Sequence, residues 1–166
     1  GLLENVAGFA LRGTRSRSQW DIGPDLWNIE GDEGQLNQVF HNLIMNADQA
    51  MPDGGVVTMS GENVTLTADN PLLLKPGTYI KITVTDQGLG IPEGYLEKIF
   101  DPYFSTKEKG SGFGLATCYS IIKRHDGHIT VQSSQGHGTA FAVYLPALPA
   151  LTIQVKAAEP QKPSPG

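Results

Sequence analysis

Two asparagines four residues apart, Asn42 and Asn46 in "NLIMNADQAM" (residues 42–51), interrupt an otherwise apolar run. On a helix, positions i and i+4 lie one above the other, so the two carboxamides are neighbours. Gln38 and Gln49 extend the same strip. A strip of Gln and Asn is also what a solvated helix face looks like. Asn is a poor helix former, however, and a plain solvated face more often carries Glu or Lys. Carboxamides offer oxygen to a cation and N–H to phosphate oxygens without adding charge. That suits Mg²⁺ already partly neutralised by phosphates, because Mg²⁺ takes few protein ligands.

A second chemical feature lies in "YIKITVTDQGLGIP" (residues 79–92). Ile80, Ile82 and Val84 alternate onto one strand face, and Asp86 shares their parity. A carboxylate aimed at an apolar layer needs a partner. It reads either as the satisfied Asp of a turn or as an acceptor for an amino group on a flat ligand, with Ile91 lining the pocket. Gly88 and Gly90 allow a tight turn and close approach of another group. The third feature is "GSGFGL", Gly110 to Leu115, leading into a helix whose bare N–H groups form an anion site. Its spacing is neither that of a dinucleotide fingerprint nor that of a P-loop. Lys107, just upstream, is either a solvated loop charge or a phosphate contact.

These groups need positioning elements. Leu36, Val39, Phe40, Leu43, Ile44, Ala47 and Ala50 recur at the helical period, predicting a helix from Glu33 to Met51, capped by Asp32 and ended by Pro52-Asp53-Gly54-Gly55. A shorter helix is expected over residues 2–12. "SQWDIG" and "LWNIEG" read as short strands around Gly23-Pro24. Residues 56–67 and 78–86 read as a long hairpin with a loop marked by Asn70-Pro71 and Pro76-Gly77. Gly88 to Phe113 is irregular, a pattern that usually marks function or mobility. A helix follows with Leu115, Cys118, Tyr119 and Ile122 on its buried face. Two strands, "HITVQSS" and "TAFAVYLP", close the domain near Pro146. The expected architecture is α+β, a two-layer α/β sandwich with a mixed, mainly antiparallel sheet and helices on one face. Residues 1–147 form the domain, and 148–166, ending "EPQKPSPG", have linker composition.

Composition sets the outer bounds. A chain of 166 residues, 39% hydrophobic and 17% charged, suits one domain with a real core. A net charge of -5 with no Lys/Arg stripe argues against nucleic-acid binding. No run has the length of a membrane span, and no signal peptide opens the chain. A start at Gly1 within a helical pattern reads as a fragment of something longer. One cysteine, Cys118, excludes an internal disulfide and fits a reducing compartment. The four histidines lack metal-ligand spacing.

Together, "QVFHNLIMNADQAM", "DQGLGIP", "FDPYFSTK", "GSGFGLATC" and "GHGTAFAVYLP" resemble, in order and spacing, the catalytic and ATP-binding domain of sensor histidine kinases. That domain belongs to the superfamily of gyrase, Hsp90, MutL and histidine kinase ATP sites. The strings "NADQAM" and "FDPYFSTK" look most like the nitrogen-regulation branch. The resemblance implies Mg²⁺-ATP held between helices and sheet, with Asn46 as the Mg²⁺ ligand and Asn42 beside it at the phosphates. It implies that Asp86 accepts from the adenine amino group. Gly88, Gly90 and Ile91 then shape the base pocket, and Thr139 lies near the adenine. Residues 93–111 become an ATP lid, with Gly110, Gly112 and Gly114 at its phosphate-side hinge, Phe113 and Leu115 in the nucleotide-binding set and Lys107 on a phosphate. Gln49 joins the nucleotide-binding set. Two positions depart from the pattern without removing a ligand group: Asp126 stands where a glycine is common, and Phe113 where Leu is common.

Hydrolysing members of the superfamily place Glu four residues before the Mg²⁺ asparagine. This chain has Asn42 there, and a carboxamide is no general base near neutral pH. The expectation is therefore a cytoplasmic phosphodonor domain, monomeric as a fragment, in a homodimeric parent that is either soluble or membrane-anchored. Its γ-phosphoryl goes to a His on an absent dimerisation domain and then to a response regulator receiver. Two alternatives share the motifs: a serine kinase of the anti-sigma type, and a degenerate fold kept for protein contacts.

Overall fold

The computed structural model describes residues 16–23, 25–101 and 114–148. The expected helix over 2–12, Pro24, the segment 102–113 and the tail from 149 lie outside the described residues. In chain order the elements are β1 (Ser16–Ile22), β2 (Asn28–Ile29), α1 (Glu33–Gln49), β3 (Gly55–Leu66), β4 (Gly77–Thr85), a 3₁₀ turn (Glu93–Tyr95), α2 (Leu115–Arg124), β5 (His128–Ser133) and β6 (Thr139–Leu148).

The first two strands form where expected but do not pair with each other. β1 runs parallel to β3, with Ser16 opposite Gly55 and Ile22 opposite Gly61. β2 pairs antiparallel with the end of β6, through Asn28–Leu148 and Ile29–Ala147. The two strands thus sit in different parts of the sheet, whose order is β1-β3-β4-β6-β2 with β5 also on β6. Parallel pairing needs a long crossover, and α1 supplies it. One strand–helix–strand unit is therefore present, although no such rhythm was expected from the sequence. The other pairings, β3–β4, β4–β6 and β5–β6, are antiparallel. β6 continues through Leu148 rather than closing near Pro146, because β2 pairs with its last residues.

α1 begins as its sequence dictates. Asp32 holds an extended backbone and its Oδ1 accepts from Gln35 N–H at 3.0 Å. The helix ends at Gln49, two residues earlier than expected. Met51 stays in the core, and its carbonyl accepts from Gly54 N–H at 2.8 Å to close the turn. The β3–β4 connection is held by one buried side chain. Asn70 Nδ2 donates to Thr67 O and Leu74 O, and its Oδ1 accepts from Leu74 N–H.

The core lies between one sheet face and the two helices. Leu36, Val39, Phe40, Leu43, Ile44 and Ala47 of α1 meet Val57 and Met59 of β3, Ile82 and Val84 of β4, and Phe141, Val143 and Leu145 of β6. Leu43 and Ile44 are fully buried, each stabilising by about 1.5–3 kcal/mol. On α2 the buried set is Leu115, Cys118, Ile121 and Ile122. Tyr119, expected inside, is 39% exposed and lies against the Phe100 ring at 5.5 Å. The stripe through 118, 121 and 122 leaves position 119 on its flank. Asp126, at the position where a glycine is common, has φ of 62°. The backbone there is left-handed, a conformation Asp tolerates better than most residues.

Candidate functional site

Three strand ends converge on the base side of the site. β4 stops at Thr85, and the next residue, Asp86, keeps the inward parity of Ile82 and Val84. It is 7% exposed. Asp86 N–H donates to Thr139 O at 2.9 Å. In return its Oδ1 accepts from Thr139 N–H at 3.2 Å and from Gly88 N–H at 2.8 Å. Both bonds fall on Oδ1, and none from a described residue falls on Oδ2. Burial raises the Asp86 carboxyl above the usual range, while the two backbone N–H groups pull it back. The result is a shielded acceptor with one oxygen committed to the frame.

The loop after Asp86 is pinned on two sides. Leu89 N–H donates to Ala50 O at 3.0 Å, tying it to the end of α1. A Cβ on Gly88 would run into that same carbonyl oxygen, so only glycine allows this approach. Gly136 N–H donates to Leu89 O at 2.6 Å, and Ile91 N–H donates to Ser133 Oγ at 2.7 Å, tying the loop to the β5–β6 turn. Gly90 lies over the Ser134 carbonyl, and Ile91 packs against the core.

The second half of the site is built on the helices. Asn46 Nδ2 donates to Asn42 O at 2.8 Å, which commits the nitrogen end of that amide to the helix backbone. The Asn42 side chain lies by the Cys118 thiol, and a Cβ on Gly114 would strike its carboxamide. Gly114 is the N-cap of α2, with φ of 69° and no side chain capping the first turn. The open N–H end of α2 is thereby set against the α1 amides. Cys118 also donates to Val39 O at 3.6 Å, and burial pushes its thiol up to about 12. Gln49, one turn beyond Asn46, has a buried Oε1 with no partner among the described residues.

The structure thus brings Asp86, Gly88, Gly90, Ile91 and Thr139 together at the strand ends. It sets Asn42 against Gly114, with Leu115 buried just behind. Gln49 adjoins Ala50, where the two halves meet. Lys107, Gly110, Gly112 and Phe113 lie outside the described residues. Ser133 was missed. It accepts from Ile91 N–H, donates to Gly138 O at 2.8 Å and bonds Thr139 Oγ1 at 2.8 Å. Its parity with Ile129 and Val131 puts a hydroxyl on the apolar face at a strand end, the same pattern that singled out Asp86.

Residues 31–149 match the family described as histidine kinase-, DNA gyrase B- and HSP90-like ATPase. Sensor kinase CckA of Brucella abortus (strain 2308) is 46% identical over 134 residues, covering 77% of this chain and 14% of that protein. Sporulation kinase C of Bacillus subtilis (strain 168) is 47% identical over 118 residues, covering 71% of this chain and 25% of that protein. The chain therefore spans a quarter or less of these two relatives. The solved structure of the mycobacterial sensor histidine kinase MprB superposes with a TM-score of 0.72 at 25% identity, covering 89% of this chain and 93% of that one. The chain belongs to the histidine kinase-, DNA gyrase B- and HSP90-like ATPase family, and within it is the ATP-binding catalytic domain of a sensor histidine kinase.

Proposed function

We propose that this domain holds Mg²⁺-ATP and passes the γ-phosphoryl group to a histidine on a dimerisation domain elsewhere in the same protein. A response regulator receiver is the next acceptor. The observation that carries this reading is Asn42. It sits against Gly114 and the Cys118 thiol, at the position where the superfamily resemblance implies a Glu in hydrolysing members. A carboxamide takes no proton from water near neutral pH. ATP bound there keeps its γ-phosphoryl for an incoming protein nucleophile, and catalysis reduces to positioning and charge neutralisation.

The residues fit a magnesium ion. Asn46 has its amide nitrogen on the α1 backbone, and a carboxamide oxygen is a ligand type that serves a cation. Gln49 Oε1 is a buried acceptor with no donor among the described residues. Among the described residues no three His, Cys, Asp or Glu converge. This suits an ion that arrives on the triphosphate and takes one protein oxygen. When bound, the ion would neutralise charge on the phosphates. Asp86 and Thr139 would orient the base, and Gln49 would stand near the triphosphate. Outside the described residues, Lys107, Gly110, Gly112 and Phe113 would complete the phosphate side.

The proposal places the domain in the cytoplasm, monomeric on its own and part of a homodimeric parent. Among the described residues no helix is long and apolar enough to cross a membrane. The test is incubation with γ-labelled ATP, alone and with the parent's histidine-bearing domain. The chain alone should stay unlabelled, and the mixture should give an acid-labile phosphoprotein. Strong self-labelling or rapid release of phosphate would sink the proposal. An acid-stable label would favour a serine acceptor, and no thermal shift with millimolar Mg²⁺-ATP would favour a binding module.

A further inference from the structure

Ser133 lies beyond the residues that face the nucleotide, yet its hydrogen bonds determine what Thr139 can do. A serine hydroxyl has one proton and two lone pairs. The Gly138 carbonyl, 2.8 Å away, can only accept, so it takes the proton. Ile91 N–H, 2.7 Å away, can only donate, so it takes one lone pair. The remaining contact, Thr139 Oγ1 at 2.8 Å, must then donate into the second lone pair. Thr139 is 5% exposed, and its own N–H is already on Asp86 Oδ1. With its hydroxyl proton on Ser133, Thr139 Oγ1 has only lone pairs left. The Asp86 carboxylate, whose Oδ1 takes the Thr139 N–H, is also acceptor-only when ionised.

We infer that Ser133 is a positioning residue that fixes the polarity of the base-reading edge, so that the pocket accepts a 6-amino purine and rejects a 6-oxo purine. This rests on the proposed reading that Asp86 and Thr139 face the base. A 6-amino purine offers N–H donors to that edge. A 6-oxo purine sets a carbonyl oxygen against it. Without Ser133 the Thr139 hydroxyl is free to rotate and donate to that oxygen, so the penalty on the 6-oxo base falls. Ser133 also anchors Ile91 at the pocket wall, but that contact serves both bases alike.

The experiment compares affinities for ATP and inosine triphosphate in the presence of Mg²⁺ by titration calorimetry. Wild type should prefer ATP. Ser133→Ala should lower the ATP-to-inosine-triphosphate preference about three- to tenfold, one hydrogen bond's worth. Ser133→Cys, close in volume but a poor acceptor, should do the same and guards against a folding defect. Ser133→Thr, which restores the hydroxyl, should keep the wild-type ratio. On a Thr139→Val background, Ser133→Ala should no longer change the ratio. An equal loss for both nucleotides would make Ser133 merely structural and overturn the inference, as would an unchanged ratio in both the Ala and Cys variants. No preference in the wild type would instead remove the underlying base-reading proposal.

Discussion

Replacing Asp86 with asparagine should make the nucleotide-free domain more stable and the nucleotide complex weaker. The amide oxygen can still accept from Gly88 and Thr139 N–H, so the frame of the loop survives. What changes is Oδ2, which becomes an NH₂ group, and the charge. Burial holds the folded-state carboxyl above its ordinary value, outweighing the two backbone N–H groups. A raised folded value means that the group's stabilising contribution is present below its unfolded pKa. It is lost as pH rises through the folded one. At pH 7 the ionised carboxylate therefore costs stability. Asp86→Asn should raise the melting temperature at pH 7, and the gain should shrink as pH falls below the carboxyl's folded value. Binding moves the other way. A hydrogen bond to a charged acceptor is worth about 1.5–3 kcal/mol, so its loss weakens Mg²⁺-ATP about 10- to 100-fold. By the proposed base-reading role, the new NH₂ would also face the purine amino group. Scanning calorimetry of the free domain and titration with Mg²⁺-ATP measure the two effects. A Kd within twofold of wild type would refute the base-reading role, and a lower melting temperature at pH 7 would refute the desolvation argument.

Three further predictions follow from other contacts. Asn42→Glu supplies the missing general base, so phosphate release from ATP should rise about 10- to 100-fold in a coupled assay; no rise would mean that the absent base is not what holds hydrolysis back. Cys118 is buried with its thiol pushed up to about 12, so the native protein should resist a disulfide reagent at pH 8 and react once per chain in denaturant; reaction at the free-thiol rate in the native state would contradict the packing. Gly114→Ala forces a Cβ into a residue at φ of 69° and against the Asn42 carboxamide. It should cost about 1 kcal/mol or more of stability and weaken ATP several-fold, and wild-type affinity would show that this approach of α2 to α1 does not matter.

Much of this was legible in the residues because local rules govern it. The helical period of Leu36 to Ala47 and the Asp32 cap depend on neighbours within a few positions, and the β3–β4 hairpin joins two strands consecutive in the chain. The inward parity of Asp86 came from simple alternation. Tyr119 was misplaced because its helix stripe is narrow, and which flank gets covered depends on the elements packed against α2. Ser133 went unnoticed for a different reason. Its importance lies in Ile91, Gly138 and Thr139, and Ile91 is forty-two residues away.

By itself the sequence determined which groups are available: two stacked carboxamides, an inward carboxylate at a strand end, and a glycine at the start of a helix. Periodicity and residue chemistry suffice for that, since they act along one element. Only the tertiary structure decided the pairing of β1 with β3 and of β2 with β6, the seating of Gly114 on Asn42, and the bonds of Thr139 to Asp86 and of Ser133 to Ile91. Those contacts join segments far apart in the chain. Their geometry depends on how sheet and helices pack, which no single stretch of residues encodes.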